Sequence, residues 1–375
     1  MIVLVLSFAA SLVHPLRARR AAACGPLPPL TALIPVKTLH AGFAEAQRSL
    51  FAQEYPDMEI IITTAESDSP AIRAAREIQH EFPHVNSRLL QSHYTGAVSP
   101  KLNSLWPAIV DAQNDLILTK DSNLCLTPGE LADLVCSLRP DTGLVSTISL
   151  ATEPRSFPAW IEASIINCFH TRMLMLGDAI GLGFGLGKIM LFRRPDLIRA
   201  GGMDRLSWAL GEDMALARTM NSLDLRTVLA PRISHQPLGA RTFSEFFQRQ
   251  LRWMVVWRVQ LPAVFLGDIL GSAIPTAVAG ALAAKLFGFD VISVAVGTLV
   301  VWCMLETILC AAKGWPLSIW SPVAFLAREI LTPIIGLRAL LSRDVAWAGA
   351  TYRAGNPNGS MRPDANGRPA GNSRQ

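Results

Sequence analysis

Asp115–Asn123 (Asp-Leu-Ile-Leu-Thr-Lys-Asp-Ser-Asn) decides the fold class, because it joins a short apolar strand to a group of polar residues. Further apolar or β-branched runs occupy residues 30–36, 58–65 and 143–150, and helical patterns fill the intervals between them. Strands that alternate with helices over about 120 residues predict an α/β fold with a doubly wound, mostly parallel sheet. Ligands of such sheets bind beyond the carboxyl ends of the strands, which is where Asp121 falls.

Two other acidic positions are candidates for the same site. Asp68 and Glu66 come just after the predicted strand at 58–65. Glu212 and Asp213 open a predicted helix, where the helix dipole stabilises a carboxylate. An isolated acid at that position would be best explained as a simple helix cap, so its meaning depends on the other motifs.

Composition predicts an integral membrane protein. Half of the 375 residues are hydrophobic, only 17% are charged, and the mean hydropathy is +0.32. Residues 261–284, apolar apart from Asp268, and residues 291–312 predict two spans. Residues 320–341 carry Arg328–Glu329, and charges in the middle of a span are costly. We therefore expect this third segment to lie in the interface or to re-enter the membrane.

The flanking charges predict how the chain is arranged. An apolar run at 1–13 precedes several arginines, an order that favours an anchor over a cleaved signal and places its C-terminal side in the cytoplasm. The net charge of +5, in a chain with few charges, indicates contact with a membrane surface and phosphates and no nucleic acid. The predicted parts are a short N-terminal membrane anchor (1–14), a linker (15–29), a cytoplasmic α/β domain (30–260), membrane helices comprising two spans and the interfacial or re-entrant segment (261–342), and a cytoplasmic, partly disordered tail (343–375).

The most specific motif is Arg249–Trp253 (Arg-Gln-Leu-Arg-Trp), which stands immediately before the membrane-type sequence. With the acids that precede it, this motif resembles the family 2-like inverting glycosyltransferases of GT-A fold. Within them it looks most like the ceramide glucosyltransferase family, glycosyltransferase family 21. The resemblance covers residues 35–262 and rests on Asp68–Ile72, Ser99–Asn103, Asp121–Asn123, Gly181–Phe184, Gly187–Arg194, Gly211–Asp213 and Arg249–Trp253.

The resemblance implies a GT-A domain that binds a UDP-sugar donor together with a divalent metal, Mg²⁺ or Mn²⁺. Asp121 is then the metal carboxylate at the donor, because hard cations prefer oxygen ligands. Asp213 is the general base that takes the proton of the acceptor hydroxyl. Arg249, Arg252 and Trp253 are implied to bind the donor diphosphate and close over the sugar nucleotide.

Other implied roles rest on weaker matches. The family often has an acid directly before the proline at this point, and Ser69 holds that position here. Asp68, one residue earlier, is our candidate for uridine binding, with Glu66 as its alternative. The remaining candidates are Lys101 for the donor phosphates, and His170 and Glu212 on the acceptor side.

The expected function is transfer of glucose from UDP-glucose to the primary hydroxyl of ceramide at a membrane, with the catalytic domain on the cytoplasmic face of a bacterial inner membrane. Galactose and glucuronate remain open as the sugar. The expected partners are the UDP-sugar, ceramide or a related lipid, and membrane lipids. Alternatives are a hopanoid-pathway enzyme that moves N-acetylglucosamine onto a hopanoid polyol, and a non-catalytic lipid-binding relative. The retained Glu212–Asp213 pair and the Arg249–Trp253 motif disfavour the last of these.

Overall fold

The structure is a computed structural model that describes residues 2–18, 25–342, 344–347 and 350–353. Parts of the predicted linker and most of the predicted tail lie outside these residues. The strands are β1 (Leu30–Pro35), β2 (Met58–Thr64), β3 (Ser87–Gln91), β4 (Leu116–Lys120), β5 (Thr142–Ser146), β6 (Ser149–Pro154), β7 (Ile189–Arg193), β8 (Arg226–Leu229), β9 (Ser234–Gly239), β10 (Asp344–Trp347) and β11 (Ala350–Arg353).

The helices account for most of the remaining chain. They are α1 (Ile2–Ala18), α2 (Phe43–Phe51), α3 (Pro70–Glu81), α4 (Pro100–Asp111), α5 (Glu130–Ser137), α6 (Phe157–Ser164), a π-helix (Ile165–Thr171), α7 (Arg172–Ala179), α8 (Arg194–Arg199), α9 (Met203–Leu206), α10 (Glu212–Asn221), α11 (Phe243–Gln260), α12 (Pro262–Leu270), α13 (Ala273–Phe287), α14 (Val291–Lys313) and α15 (Ser321–Leu341).

The main sheet has the strand order β3-β2-β1-β4-β7-β5-β8. All neighbouring strands run parallel except β7, which is antiparallel to both β4 and β5. The predicted α/β class with a mostly parallel sheet is confirmed. The antiparallel β7 places the residues that precede it beside the residues that follow β4, and this juxtaposition builds the site described below.

The central strands are buried on both faces. Ile60 and Ile62 of β2 belong to one hydrophobic cluster with α2 and α3, whereas Ile61 belongs to another with α4 and α10. Successive side chains of a strand point to opposite faces, so a strand covered by helices on both sides can be apolar at consecutive positions. This explains why residues 60–62 of β2 are three consecutive isoleucines and not an alternating pattern.

The chain divides into two compact units. The sheet unit comprises the described residues of 9–150 and 173–237, and it contains the main sheet. The helical unit comprises the described residues of 1–8, 151–172 and 238–375. In the helical unit, α15 packs against α6 and α11, so these two helices share a core with the membrane-type segments.

The lengths of the apolar helices can be compared with the thickness of a bilayer. Within the described residues, α14 is long and apolar enough to cross a bilayer. The pair α12 and α13 meets the same criterion only when taken together, and it is bent by 62° at its break. Ile2–His14 forms a shorter apolar helix.

The charges in α15 are buried and paired. Nη2 of Arg328 lies 2.9 Å from Oε2 of Glu306 and also contacts Glu329, and these three side chains are no more than 3% exposed. Arg172 adds a second buried guanidinium 3.8 Å from Glu306. Because the charges neutralise one another, the cost that led us to expect α15 in the interface is offset inside the helical unit.

Candidate active site

Asp121 directly follows β4, as the sequence predicted. Its backbone N–H donates to the carbonyl oxygen of Lys188, with a distance of 2.8 Å, at the point where β7 is about to begin. The side chain of Asp121 is 27% exposed. Asp121 is therefore fixed by the sheet itself, at the carboxyl end of a central strand, and its side chain retains access to solvent.

Lys101 is the cation at the centre of the site. Ser99 caps α4, which sets Lys101 in the first turn of that helix. Its Nζ lies 2.7 Å from Oδ1 of Asp121 and 3.1 Å from Oε1 of Glu212, and it donates to the carbonyl of Gly187. Burial alone would lower the pKa of Lys101, but the charges of the two carboxylates outweigh it and raise the pKa above its usual value.

Asp213 is held by two backbone donors at the start of α10. Its Oδ2 accepts from the N–H of Gly187 at 2.7 Å, and its Oδ1 accepts from the N–H of Met214 at 2.8 Å. Burial and the neighbouring charge of Glu212 nevertheless raise the pKa of Asp213 to about 6. A fixed carboxylate with a pKa near neutrality suits general-base chemistry.

The glycine-rich stretch before β7 allows a close backbone approach. A Cβ on Gly185 would lie 2.1 Å from the carbonyl oxygen of Asp213, and a Cβ on Gly187 would lie 3.0 Å from Oδ2 of Asp213. A side chain at position 185 would require α10 to shift, whereas one at position 187 would crowd the carboxylate of Asp213. These two glycines thus bring the chain against the helix that carries the predicted base.

Lys188 is a second cation at the site, and the sequence reasoning did not select it. Its Nζ lies 3.8 Å from Oδ2 of Asp121, and its side chain is 20% exposed. The available signal was the Gly187–Lys188 pair directly before a strand, which resembles only superficially a phosphate-binding loop. The two lysines approach different oxygens of the same carboxylate.

Asp68 and Glu66 are less closely tied to this cluster. Both are exposed, after β2, and Asp68 forms an ion pair with Arg73 of α3 at 2.6 Å. Ser69 caps that helix by accepting from the N–H of Ile72, which explains why the chain carries a serine directly before Pro70. Uridine binding by Asp68 or Glu66 stays a prediction.

The Arg249–Trp253 motif lies on α11 in the helical unit, and its first arginine has a buried partner. Nε of Arg249 lies 3.0 Å from Oε1 of Glu162, and its guanidinium stacks 5.1 Å from the ring centroid of Trp253. Arg241 lies 2.7 Å from the other oxygen of Glu162, which is fully buried. The sequence reasoning missed Glu162, although a lone acid in the apolar helix α6 was a usable signal.

His170 lies in the π-helix of the helical unit. Its Nε2 is 3.1 Å from Oδ1 of Asp268, and its ring contacts Trp257 and Trp253 at centroid distances of 4.9 and 6.1 Å. The structure therefore groups the predicted residues in two sets. Lys101, Asp121, Glu212 and Asp213 meet in the sheet unit, whereas His170, Arg249 and Trp253 lie in the helical unit.

Comparison with known proteins identifies the family. The sequence profile described as glycosyl transferase family 21 matches residues 1–359. The chain belongs to glycosyltransferase family 21. The predicted resemblance is confirmed, and the family together with the mixed sheet confirms the predicted GT-A type of fold. The family 21 chain is thus a member of a transferase family.

Individual relatives are distant. The family 21 chain is 22% identical to ceramide glucosyltransferase 3 of Caenorhabditis elegans over 329 residues, which cover 86% of this chain and 72% of that protein. It is 31% identical to a ceramide glucosyltransferase of Komagataella phaffii over 121 residues, covering 30% and 24% of the two chains. A solved mannosyltransferase from Pyrobaculum calidifontis, in complex with GDP-Man and Mn²⁺, is 16% identical with a TM-score of 0.48, covering 90% of this chain and 98% of its own.

Proposed function

We propose that this family 21 chain is an inverting membrane glycosyltransferase that transfers a hexose, glucose in the favoured case, from a UDP-sugar to the primary hydroxyl of ceramide. The observation that carries the proposal is the setting of Asp213. It is a fixed carboxylate with a pKa of about 6, beside a cluster of two lysines and two further carboxylates. The names of the relatives support ceramide as the acceptor and glucose as the sugar.

Asp213 acts as the general base of a single displacement. Its carboxylate takes the proton of the acceptor hydroxyl while that oxygen forms a bond to the anomeric carbon of the sugar. The bond from that carbon to the diphosphate oxygen breaks, UDP leaves with the electron pair, and the anomeric configuration inverts. The hydrogen bonds from Gly187 and Met214 keep the carboxylate in one orientation, so it can accept the proton without rearrangement.

The lysines meet the negative charge of the diphosphate. Lys188 is the more exposed of the two and lies near the other oxygen of Asp121, so it is our candidate for direct contact with a phosphate. Lys101 holds Asp121 and Glu212 in place. Arg252 and Trp253 keep the donor role that the family resemblance implies, and this role stays a prediction.

The residues present fit a divalent cation that takes most of its ligands from the bound substrate and from water. Among the described residues, no three His, Cys, Asp or Glu side chains form a group that could hold a metal. Mg²⁺ commonly binds through one or two carboxylates, with waters and substrate phosphates as its other ligands, and Asp121 offers such a carboxylate. When bound with the donor, Mg²⁺ or Mn²⁺ would neutralise charge that develops on the leaving diphosphate.

We further propose that the chain is a multi-pass membrane protein with its sheet unit on the cytoplasmic face. The support is α14, the bent pair of α12 and α13, and the apolar segment at 2–14. A lipid acceptor requires a catalytic site at the bilayer surface, and these helices provide the means to reach it.

The test is a transfer assay with the purified full chain in lipid nanodiscs. UDP-glucose, UDP-galactose, UDP-glucuronate and UDP-N-acetylglucosamine are each offered with ceramide and, separately, with a hopanoid polyol, and products are identified by mass spectrometry. We expect hexosylceramide from UDP-glucose. N-acetylglucosaminyl product on the polyol alone would establish the hopanoid alternative. Binding of lipid without transfer from any donor would establish the non-catalytic alternative.

A further inference from the structure

Lys120 is a fully buried cation next to the proposed donor site. It is the last residue of β4, and it lies on the same face of that strand as Leu116 and Leu118. Both leucines belong to the hydrophobic cluster that β2 forms with α2 and α3. In the described part of the chain, Lys120 forms no ion pair with a carboxylate. A charge buried in this way costs stability, so its presence requires an explanation.

The direct contact of Lys120 is with the backbone of Asp121. Its Nζ donates to the main-chain carbonyl of Asp121, with a distance of 3.3 Å. Burial lowers the pKa of Lys120 to about 8, although the nearby Cys125, Asp121 and Glu130 act in the opposite direction. This direction is typical of a cation whose loss of hydration is only partly compensated.

Gln47 of α2 is a second buried donor that contacts the same loop. Its side chain is fully buried, and its Nε2 donates to the main-chain carbonyl of Ser122 at 2.6 Å. Among the described residues, Oε1 of Gln47 has no hydrogen-bond partner. A buried acceptor that is left unpaired costs free energy. Two costly side chains therefore hold successive carbonyls of the loop Asp121–Asn123.

These contacts fix the backbone from which the Asp121 carboxylate extends. The N–H of Asp121 is already bonded to the carbonyl of Lys188, so both main-chain polar groups of Asp121 have partners. Ser122 and Asn123 are each 7% exposed, whereas the side chain of Asp121 is 27% exposed. The carboxylate is thus the accessible part of a loop whose backbone is tied to buried groups.

We propose that Lys120 and Gln47 are positioning residues that hold the Asp121 carboxylate in place to bind the divalent cation of the donor complex. They act through the backbone of the loop. The inference rests on the proposed function, because it requires a metal that binds together with a nucleotide-sugar. Groups that orient metal ligands change metal affinity or activity by about 10–100-fold when they are removed, which gives the two costly side chains a reason to be present.

The experiment compares Lys120→Met, Gln47→Leu, Asp121→Asn and the Lys120→Met/Asp121→Asn double variant, each in the full chain in nanodiscs. Gln236→Leu is the matched control, because Gln236 is another fully buried amide of the sheet unit and its side chain has no hydrogen-bond partner among the described residues. The measurements are UDP affinity by calorimetry, with Mn²⁺ and without a divalent cation, Mn²⁺ binding to the UDP complex by electron paramagnetic resonance, and the thermal unfolding temperature.

We expect Lys120→Met and Gln47→Leu each to weaken UDP binding in Mn²⁺ about tenfold and to weaken Mn²⁺ binding to the UDP complex. UDP binding without a divalent cation is expected to stay unchanged. In the Asp121→Asn background, Lys120→Met is expected to have no further effect, because residues that act through one contact are not additive.

The unfolding temperature separates positioning from a purely structural role. Lys120→Met replaces a buried charge with an apolar side chain of similar length, and the carbonyl of Asp121 still accepts from the N–H of Leu124. We therefore expect its unfolding temperature to be equal to or above that of the unaltered chain, although its affinity for UDP in Mn²⁺ falls. A purely structural residue would give the reverse, with lower stability and unchanged affinity of the folded fraction.

The inference is overturned if folded Lys120→Met binds UDP and Mn²⁺ as the unaltered chain does, if its effect is equally large in the Asp121→Asn background, or if Gln236→Leu causes the same loss. A Lys120→Met chain that does not fold, or that unfolds at a clearly lower temperature, would also overturn it. Failure of the proposed function is a separate outcome. In that case the unaltered chain neither binds UDP in Mn²⁺ nor transfers a sugar, whereas failure of the inference alone leaves both properties of the unaltered chain intact.

Discussion

The two units of this molecule each contain a cation that bridges two carboxylates, and the two clusters differ in their exposure. In the sheet unit, Lys101 joins Asp121 to Glu212, and Asp121 remains 27% exposed. In the helical unit, Arg328 joins Glu306 to Glu329, and every member is sealed, with at most 3% of its surface exposed.

We interpret the Arg328 cluster as structural and the Lys101 cluster as part of the proposed active site. The charged groups of the Arg328 cluster are bonded to one another and to neighbouring buried groups. Glu306 also accepts from Nε1 of Trp302, and Arg328 also donates to the carbonyl of Ser164. The Lys101 cluster has a neighbour, Asp213, whose pKa is raised and whose two carboxylate oxygens accept from backbone N–H groups. We therefore infer that the sealed ion pairs serve packing and that the partly exposed ones serve chemistry.

We call the Lys101 cluster the open cluster and the Arg328 cluster the closed cluster. The largest expected effect comes from removing Asp213, the proposed base beside the open cluster. We expect Asp213→Asn to lower kcat by about 10³-fold, within the range for loss of a general base. UDP affinity is expected to stay nearly unchanged, because the amide oxygen can still accept from Gly187. Transfer assays and UDP calorimetry measure the two quantities, with Asp204→Asn as a control for an exposed aspartate. Full activity of Asp213→Asn would remove the base assignment.

A substitution in the closed cluster is expected to lower the stability of the protein and to leave substrate affinity unchanged. Arg328→Met removes the cation that lies between two buried carboxylates, and breaking a buried pair in this way costs about 3–5 kcal/mol. Thermal unfolding in nanodiscs measures the loss, with the exposed Arg338→Met on the same helix as control. We expect the KM values of the folded fraction to be unchanged. If Arg328→Met kept full stability and changed the donor KM, the structural role of the Arg328 cluster would be contradicted.

The sequence predicted one of these clusters far better than the other. β2 and β4 each contain an unbroken run of three apolar residues. Asp121 and Asp213 stand at strand and helix ends, so local patterns and family motifs located them. The charges at Arg328–Glu329 were visible, but their partner Glu306 lies on another helix, and pairing across helices has no local pattern. For the same reason Glu162 escaped notice, and with it the buried pairing of Arg249. Lys188 was missed because its contact with Asp121 depends on the antiparallel placement of β7.

Acidity is expected to affect the open cluster selectively. Asp213 must be deprotonated to accept a proton, and its pKa is raised to about 6. We therefore expect kcat/KM to be level above pH 7 and to fall about tenfold per pH unit well below 6. Glu212→Gln removes a charge that raises this pKa, so the midpoint of its pH profile is expected to move to lower pH. An unmoved midpoint would show that another group controls the acid limb.

The smallest expected effect tests whether the open side of the cluster faces the donor. Lys188 is partly exposed and 3.8 Å from Asp121, so its contact with a phosphate is screened by solvent. We expect Lys188→Gln to raise donor KM and weaken UDP binding about fivefold, the effect of roughly 1 kcal/mol, while acceptor KM is unchanged. Arg218→Gln removes an equal charge from the far end of α10 and controls for net charge. If both variants weaken UDP binding equally, Lys188 acts only through the net charge of the protein. If only Lys188→Gln weakens UDP binding, the open cluster binds the diphosphate. Solvent exposure is then the property that allows the open cluster, and not the closed one, to bind a ligand.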